Sequence, residues 1–173
     1  MGSETGIFTD SRDGKDYKTV KIGNQVWMVE NLIYKPSSGI YWAYDNDQGN
    51  VAEYGYLYDW ETAKKGCPLG WHLPTESEFR TLLDNFGGEG EKTGAYNAII
   101  LGGISGFSAL LGGYYETGFS SFVSKGSDTG FWSSSEKNTD DAWSLGIYGA
   151  YKAVRLDITP KNLCFSVRCL QDS

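Results

Sequence analysis

The chain is short of histidine, of basic charge and of long apolar runs. Among its 173 residues there is a single histidine, His72. A Ser-His-Asp hydrolase would have to recruit it, yet no Gly-x-Ser-x-Gly elbow is present, and no Cys or His cluster stands beside it to hold a metal. Lysine and arginine number 15 against 22 aspartates and glutamates, a formal charge of −7. That balance argues against a nucleic-acid partner, whose phosphates demand a basic surface, and against a polybasic membrane contact. No apolar run approaches the roughly 20 residues of a spanning helix, so no membrane insertion by this domain is expected. The opening Met1-Gly2-Ser3-Glu4-Thr5 lacks the apolar heart of a signal peptide. It reads as a cloning scar or disordered leader, residues 1–5, ahead of a single domain over residues 6–172. Proline is scarce as well, at 4 residues, whereas glycine reaches 23 and aromatics 15%. Many glycines among many aromatics predict short strands joined by turns around one sizeable core.

The periodicities place the elements. Phe8 to Ile22 reads as a hairpin turning at Asp13-Gly14, and Gln25 to Val29 as a strand after the Gly23-Asn24 turn. Ile40 to Leu57, polar and aromatic around Asp45-Asn46-Asp47, reads as a loop. Tyr58 to Lys65 predicts a short helix stopped by Gly66. Thr75-Glu76-Ser77-Glu78 is a capping box: the Thr75 hydroxyl can accept from the backbone three residues on, and Glu78 can reach back. Phe79, Leu82, Leu83 and Phe86 then mark one face of a second helix, ended by Gly87-Gly88. Gly88 to Gly130 reads as loop-rich. Three strands close the chain: Ala142 to Tyr148, with Trp143, Leu145 and Ile147 on one face; Ala150 to Ile158, with Val154, Leu156 and Ile158 on one face; and Cys164 to Leu170, with Phe165, Val167 and Cys169 inward and Cys164 opposite. The three cysteines permit one disulfide with a spare thiol, or three reduced thiols.

These residues carry a resemblance. Thr19-Val20-Lys21-Ile22-Gly23-Asn24-Gln25-Val26-Trp27-Met28 with Glu30-Asn31-Leu32, Cys67-Pro68-Leu69-Gly70-Trp71-His72-Leu73-Pro74-Thr75, Leu111-Gly112-Gly113-Tyr114, Gly130-Phe131-Trp132-Ser133-Ser134-Ser135-Glu136, Ala142-Trp143 and Phe165-Ser166-Val167-Arg168-Cys169 follow one another in the order of the Fibrobacter succinogenes major paralogous domain family, which the chain resembles over nearly its whole length. The resemblance implies an α+β, C-type-lectin-like fold, with two short helices flanking a small twisted antiparallel sheet and long loops. It implies a Cys67–Cys169 disulfide. It also implies a bacterial protein that is secreted or displayed at the cell surface, as on an outer-membrane lipoprotein, with its signal sequence trimmed. The Glu-Pro-Asn, Gln-Pro-Asp and Trp-Asn-Asp tripeptides of calcium-dependent lectins are missing, so their metal site does not carry over. Nor does the reactive cysteine pair of formylglycine-generating enzymes, since Cys164 alone is left over.

The residue-level candidates follow. His72 sits inside a family turn and reads as structural. Asp45, Asp47 and Asn50 offer oxygen ligands without the spacing of a calcium loop, and read as a plain turn. Glu136, Asp140 and Asp141 are surface carboxylates, with Glu136 tying down the Trp132–Ser135 turn; a polysaccharide-acting enzyme would have to draw on them. Tyr114, Tyr115, Tyr148 and Tyr151, with Arg155, form the expected ligand-binding set, because aromatic faces stack on sugar rings or anchor protein contacts. Cys164 is expected to be a buried, inert thiol. The expected function is non-enzymatic binding of a glycan or protein ligand by a monomer, with no cofactor. A polysaccharide-acting enzyme using those surface carboxylates and a structural or assembly role within a larger surface protein stand as the alternatives; calcium, the one cofactor to consider, is not supported by the lectin motifs.

Overall fold

The computed structural model describes residues 4–92 and 94–173. In chain order its elements are β1 (Thr5–Asp10), β2 (Lys15–Ile22), β3 (Gln25–Met28), β4 (Tyr41–Trp42), α1 (Val51–Tyr54), β5 (Leu57–Tyr58), α2 (Trp60–Ala63), β6 (Trp71–His72), α3 (Glu76–Asp84), β7 (Gly90–Glu91), α4 (Gly94–Ile99), β8 (Gly112–Glu116), β9 (Ser121–Lys125), β10 (Asp128–Glu136), β11 (Asp141–Tyr148), β12 (Ala153–Pro160) and β13 (Leu170–Gln171). Strand accounts for 40% of the chain and helix for 17%. No helix among the described residues is long and apolar enough to cross a membrane.

The first sheet is built as the alternation dictates. Gly14, at φ +73°, turns β1 back onto β2, and Gly23, at φ +58°, turns β2 onto β3; glycine adopts these left-handed conformations without steric cost. The sheet has the order β1-β2-β3-β13-β6. Tyr17, Val20, Trp27 and Met28 point into the interior. The leader is shorter than expected. Thr5 already pairs with Val20, and the Lys21 N–H donates to the Glu4 carbonyl at 2.8 Å. Residues 1–3 of that expectation lie outside the described residues.

The capping box forms as read. The Thr75 hydroxyl accepts from the Glu78 N–H, and the Glu78 carboxylate accepts from the Thr75 N–H. The α3 face of Phe79, Leu82 and Leu83 is fully buried. There Phe79 stacks on Trp27 with ring centroids 5.4 Å apart. The predicted helix over Tyr58–Lys65 contracts to Trp60–Ala63, because Asp59 caps it by accepting from the Thr62 N–H and Tyr58 is held in the ribbon with Tyr41.

The second sheet, order β7-β12-β11-β10-β8-β9, is where the expectations fall short. A single small antiparallel sheet flanked by two helices is replaced by sheets of five and six strands, a two-stranded ribbon and short helices. The Gly88–Gly130 stretch holds α4 and the β8–β9 hairpin, and the Ile40–Leu57 loop holds β4 and α1. The supposed turn at Trp132–Ser135 is the second half of β10, with a register shift between Trp132 and Glu136. Phe131 and Trp132 are both fully buried. A strand covered on both faces loses the in-out alternation by which strands are recognised. The same reason defeats the face assignment for Cys164 to Leu170, in which every residue is buried. That segment runs between the sheets: Ser166 bonds the β10 backbone at Gly130 and Trp132, Phe165 bonds Tyr58, and the Val167 carbonyl accepts from Leu32.

Arg168 is the one charged side chain in that segment, and it is buried to 1% exposure. Its guanidinium donates to Asn31 Oδ1 at 2.6 and 3.1 Å and to the carbonyls of Met28 and Phe107. It also lies 4.6 Å over the Phe107 ring. Burial pushes its pKa down to about 9, with Glu30 opposing, so it remains a cation at neutral pH.

Candidate functional site

The face of the second sheet turned away from Leu145 and Ile147 carries the candidate site. Strand alternation sends Leu145 and Ile147 of β11 into the core and leaves Ser144, Gly146 and Tyr148 on the opposite face. Register aligns Gly146 with Gly130 of β10 and with Arg155 of β12, and Ser144 with Asp157. Two glycines side by side leave a trough that neighbouring side chains lie across. A Cβ at Gly130 would meet the Phe165 ring at 2.6 Å, and one at Gly146 would meet Asp157 Oδ2 at 2.5 Å and Tyr148 Oη at 2.7 Å. The result is a cleft of about 340 Å³ lined by Tyr114, Leu163, Phe165, Tyr148, Asp157 and Asp128, among others.

The polar groups of the cleft are ordered. The Tyr148 hydroxyl donates to Asp157 Oδ2 at 2.6 Å. Burial raises the Tyr148 pKa, and the hydrogen bond and charge of Asp157 raise it further, so the phenol stays protonated as a donor. Ser144 and Thr159 share a hydroxyl–hydroxyl bond of 2.8 Å. Asp128 accepts from the Gly149 N–H at 3.2 Å. Tyr114 sets its ring edge-on to Phe165 at 5.3 Å, and burial also raises its pKa.

The walls come from separate segments of the chain: Tyr114 follows Gly112-Gly113, Gly130 opens the Phe131–Glu136 run, and Phe165 opens the run to Cys169. The family model described as the Fibrobacter succinogenes major domain matches residues 20–171. The chain belongs to that family. No curated protein and no solved structure matches it. In this Fibrobacter succinogenes major domain the family segments therefore do double service, forming the core and walling one cleft.

Of the expected ligand-binding residues, the structure brings Tyr114 and Tyr148 to the cleft and sets Arg155 at its edge. The Arg155 guanidinium lies 5.6 Å from the Tyr148 ring centroid and pairs with Glu91 at 2.6 Å. Tyr115 is not brought there: adjacent strand residues point to opposite faces, and its ring packs on Phe122 at 4.8 Å and Trp42 at 5.1 Å. Tyr151 sits in the β11–β12 turn, 61% exposed, outside the cleft lining. Asp128, Ser144, Thr159, Leu163 and Phe165 also line the cleft and did not stand out as site residues in the sequence. The available signal was Gly146, a glycine inside an alternating strand, which marks a close approach of neighbouring groups.

The other candidates have partners. His72 Nδ1 lies 2.6 Å from Asp172 and Nε2 3.0 Å from Glu78. Burial lowers its pKa, but the bonds to Asp172 and Glu78 outweigh that and the net shift is upward. It thus ties β6 to the α3 cap and to the chain beyond β13. Asp47 accepts from the Gly49 N–H, a local turn bond. Glu136 pairs with Lys161 at 2.5 Å, Asp141 accepts from the Asn138 amide, and neither they nor Asp140 line the cleft. Cys67 and Cys169 are joined in a disulfide and Cys164 is a buried free thiol. Burial raises the Cys164 pKa to about 12, which leaves almost no thiolate to react. A larger groove of about 550 Å³ lies near Arg12, Lys15 and Tyr34. There Arg12 is already committed to Asp10 and stacked on Tyr34 at 3.7 Å.

Proposed function

We propose that this domain is a non-enzymatic ligand-binding module on a C-type-lectin-like scaffold, displayed by a bacterium outside the cytoplasm. It works as a monomer and without a cofactor, and holds a glycan or protein ligand in the cleft between Tyr114 and Tyr148. The observation that carries this reading is the cleft's make-up, aromatic walls on a trough cleared by Gly130 and Gly146 with polar groups fixed between them. Such an arrangement stacks on a ring and satisfies its hydroxyls without moving. The disulfide supports an oxidising compartment, and the Cys67–Cys169 bridge with α2 and α3 supports the lectin-like frame. The hydrogen bonds of Glu136 and Asp141, outside the cleft lining, favour binding over hydrolysis.

The test is a glycan-array screen of the domain, run with calcium and again with EDTA, beside the Tyr148→Ala variant. Binding that survives EDTA and is lost in the variant is the expected result. Binding abolished by EDTA would replace stacking with a metal-dependent site. Binding untouched by Tyr148→Ala would place the ligand elsewhere on the molecule.

A further inference from the structure

The cleft has a charge as well as a shape. Its lining includes Asp128 and Asp157 but no lysine, arginine or histidine. Among the described residues each carboxylate accepts one hydrogen bond, Asp128 from the Gly149 N–H and Asp157 from the Tyr148 hydroxyl. An ionised carboxylate has about four acceptor positions, so both retain unused capacity. Arg155 is engaged by Glu91 at 2.6 Å, and Glu116 adds negative charge beside Tyr114. The rings of Tyr114, Tyr148 and Phe165 line the same space. Carboxylates with spare acceptors beside aromatic faces are the complement of an ammonium group. The remaining lining, with the Ser144–Thr159 hydroxyl pair and apolar ring walls, suits a sugar ring. A volume near 340 Å³ sits at the small end of ligand pockets, about 300–1,000 Å³.

We infer that the cleft selects a saccharide bearing a free amino group, its ammonium drawn to the Asp128 and Asp157 carboxylates and its ring against the aromatic lining. This rests on the cleft being the binding site.

The experiment is calorimetric titration of the whole chain with a glucosamine oligomer and with the N-acetylated oligomer of equal length. The free-amine oligomer is expected to bind about tenfold tighter or more, the scale of a charge-assisted bond. The D128N/D157N variant, with its melting midpoint checked against the parent, is expected to erase that difference; if it does not fold, D128N alone is expected to reduce it. Equal or tighter binding of the acetylated oligomer, still lost in Tyr148→Ala, would overturn the charge selection and leave the cleft reading standing. No binding of either oligomer, in a chain whose array ligand also ignores Tyr148→Ala, would overturn both. A lysine-bearing peptide that binds while the glucosamine oligomer does not would overturn the saccharide assignment.

Discussion

Cutting the Cys67–Cys169 bridge should cost the domain a large part of its stability, and the size follows from the topology. The bridge spans a sequence separation of 102. For a loop of that length the chain-entropy relation gives about 4.7 kcal/mol at 25 °C, while measured bridges more often contribute about 2–4 kcal/mol. Cys169 is buried with Met28, Trp71 and Val167, and the partly buried Cys67 packs against the same group, so reduction frees the chain without removing a large apolar side chain. We expect a loss of about 3–5 kcal/mol, equivalent to about 6–20 °C in melting midpoint for a domain of this size. Urea unfolding with and without a thiol reductant measures it, with C67A/C169A as the variant that should no longer respond. Peptide mapping without reductant should recover the Cys67–Cys169 peptide. A reductant shift below about 1 kcal/mol in a chain with that bridge mapped would refute the reasoning, since the two segments would then be held by packing alone.

Three further outcomes follow from other sites. Arg168→Ala should destabilise the fold by about 3–5 kcal/mol in urea unfolding, the range for removing one partner from a buried charged network; Arg168→Lys should recover little, because an ammonium cannot reproduce the planar fork shared by Asn31 and the Met28 and Phe107 carbonyls. Gly146→Ala should cost about 1–3 kcal/mol by overpacking and weaken ligand binding, as its methyl group pushes Tyr148 from Asp157; an unchanged melting midpoint would contradict that contact. The His72 pKa is raised in the folded state above its ordinary 6.5. Its stabilising contribution is therefore present below pH 6.5 and is lost as pH rises through the folded value. Melting midpoints across that window should fall in the parent and flatten in His72→Gln.

Where one face of an element meets water, the sequence reveals it. The β1–β2 hairpin and the buried face of α3 were legible, because exposed polar residues recur between buried ones, and the Thr75 capping box because its residue types sit at a fixed spacing; on β11, buried along most of its length, Leu145 and Ile147 were marked only by the small Ser144 and Gly146 beside them. Where packing comes from both sides the code falls silent. Phe131 and Trp132 are neighbours, both fully buried, and nothing in their order distinguishes a strand from a turn. The hairpin of β8 and β9 was hidden by glycine and serine, whose turn preferences masked a short strand pair. The cleft was half legible. Tyr114 and Tyr148 stood out as aromatics near glycine, but Asp128 and Phe165 reach it from segments far apart in sequence. Only register places them together. Tyr115 shows the converse: composition recommends it as strongly as Tyr114, and strand alternation turns it away.

The order of the first sheet has a consequence for the making of the protein. β13 lies between β3 and β6, so two strands formed early wait for a neighbour that leaves the ribosome among the last residues of this domain. The same late segment supplies Arg168 to Asn31 and Cys169 to Cys67. Until it arrives, nothing joins β6 to β3, Asn31 lacks its guanidinium partner and Cys67 lacks its second sulfur. Long-range closure of this kind is slow, since the loop entropy is spent before any contact repays it. During synthesis the local β1–β2–β3 pairings can form early, whereas β6 joins this sheet only once β13 is free.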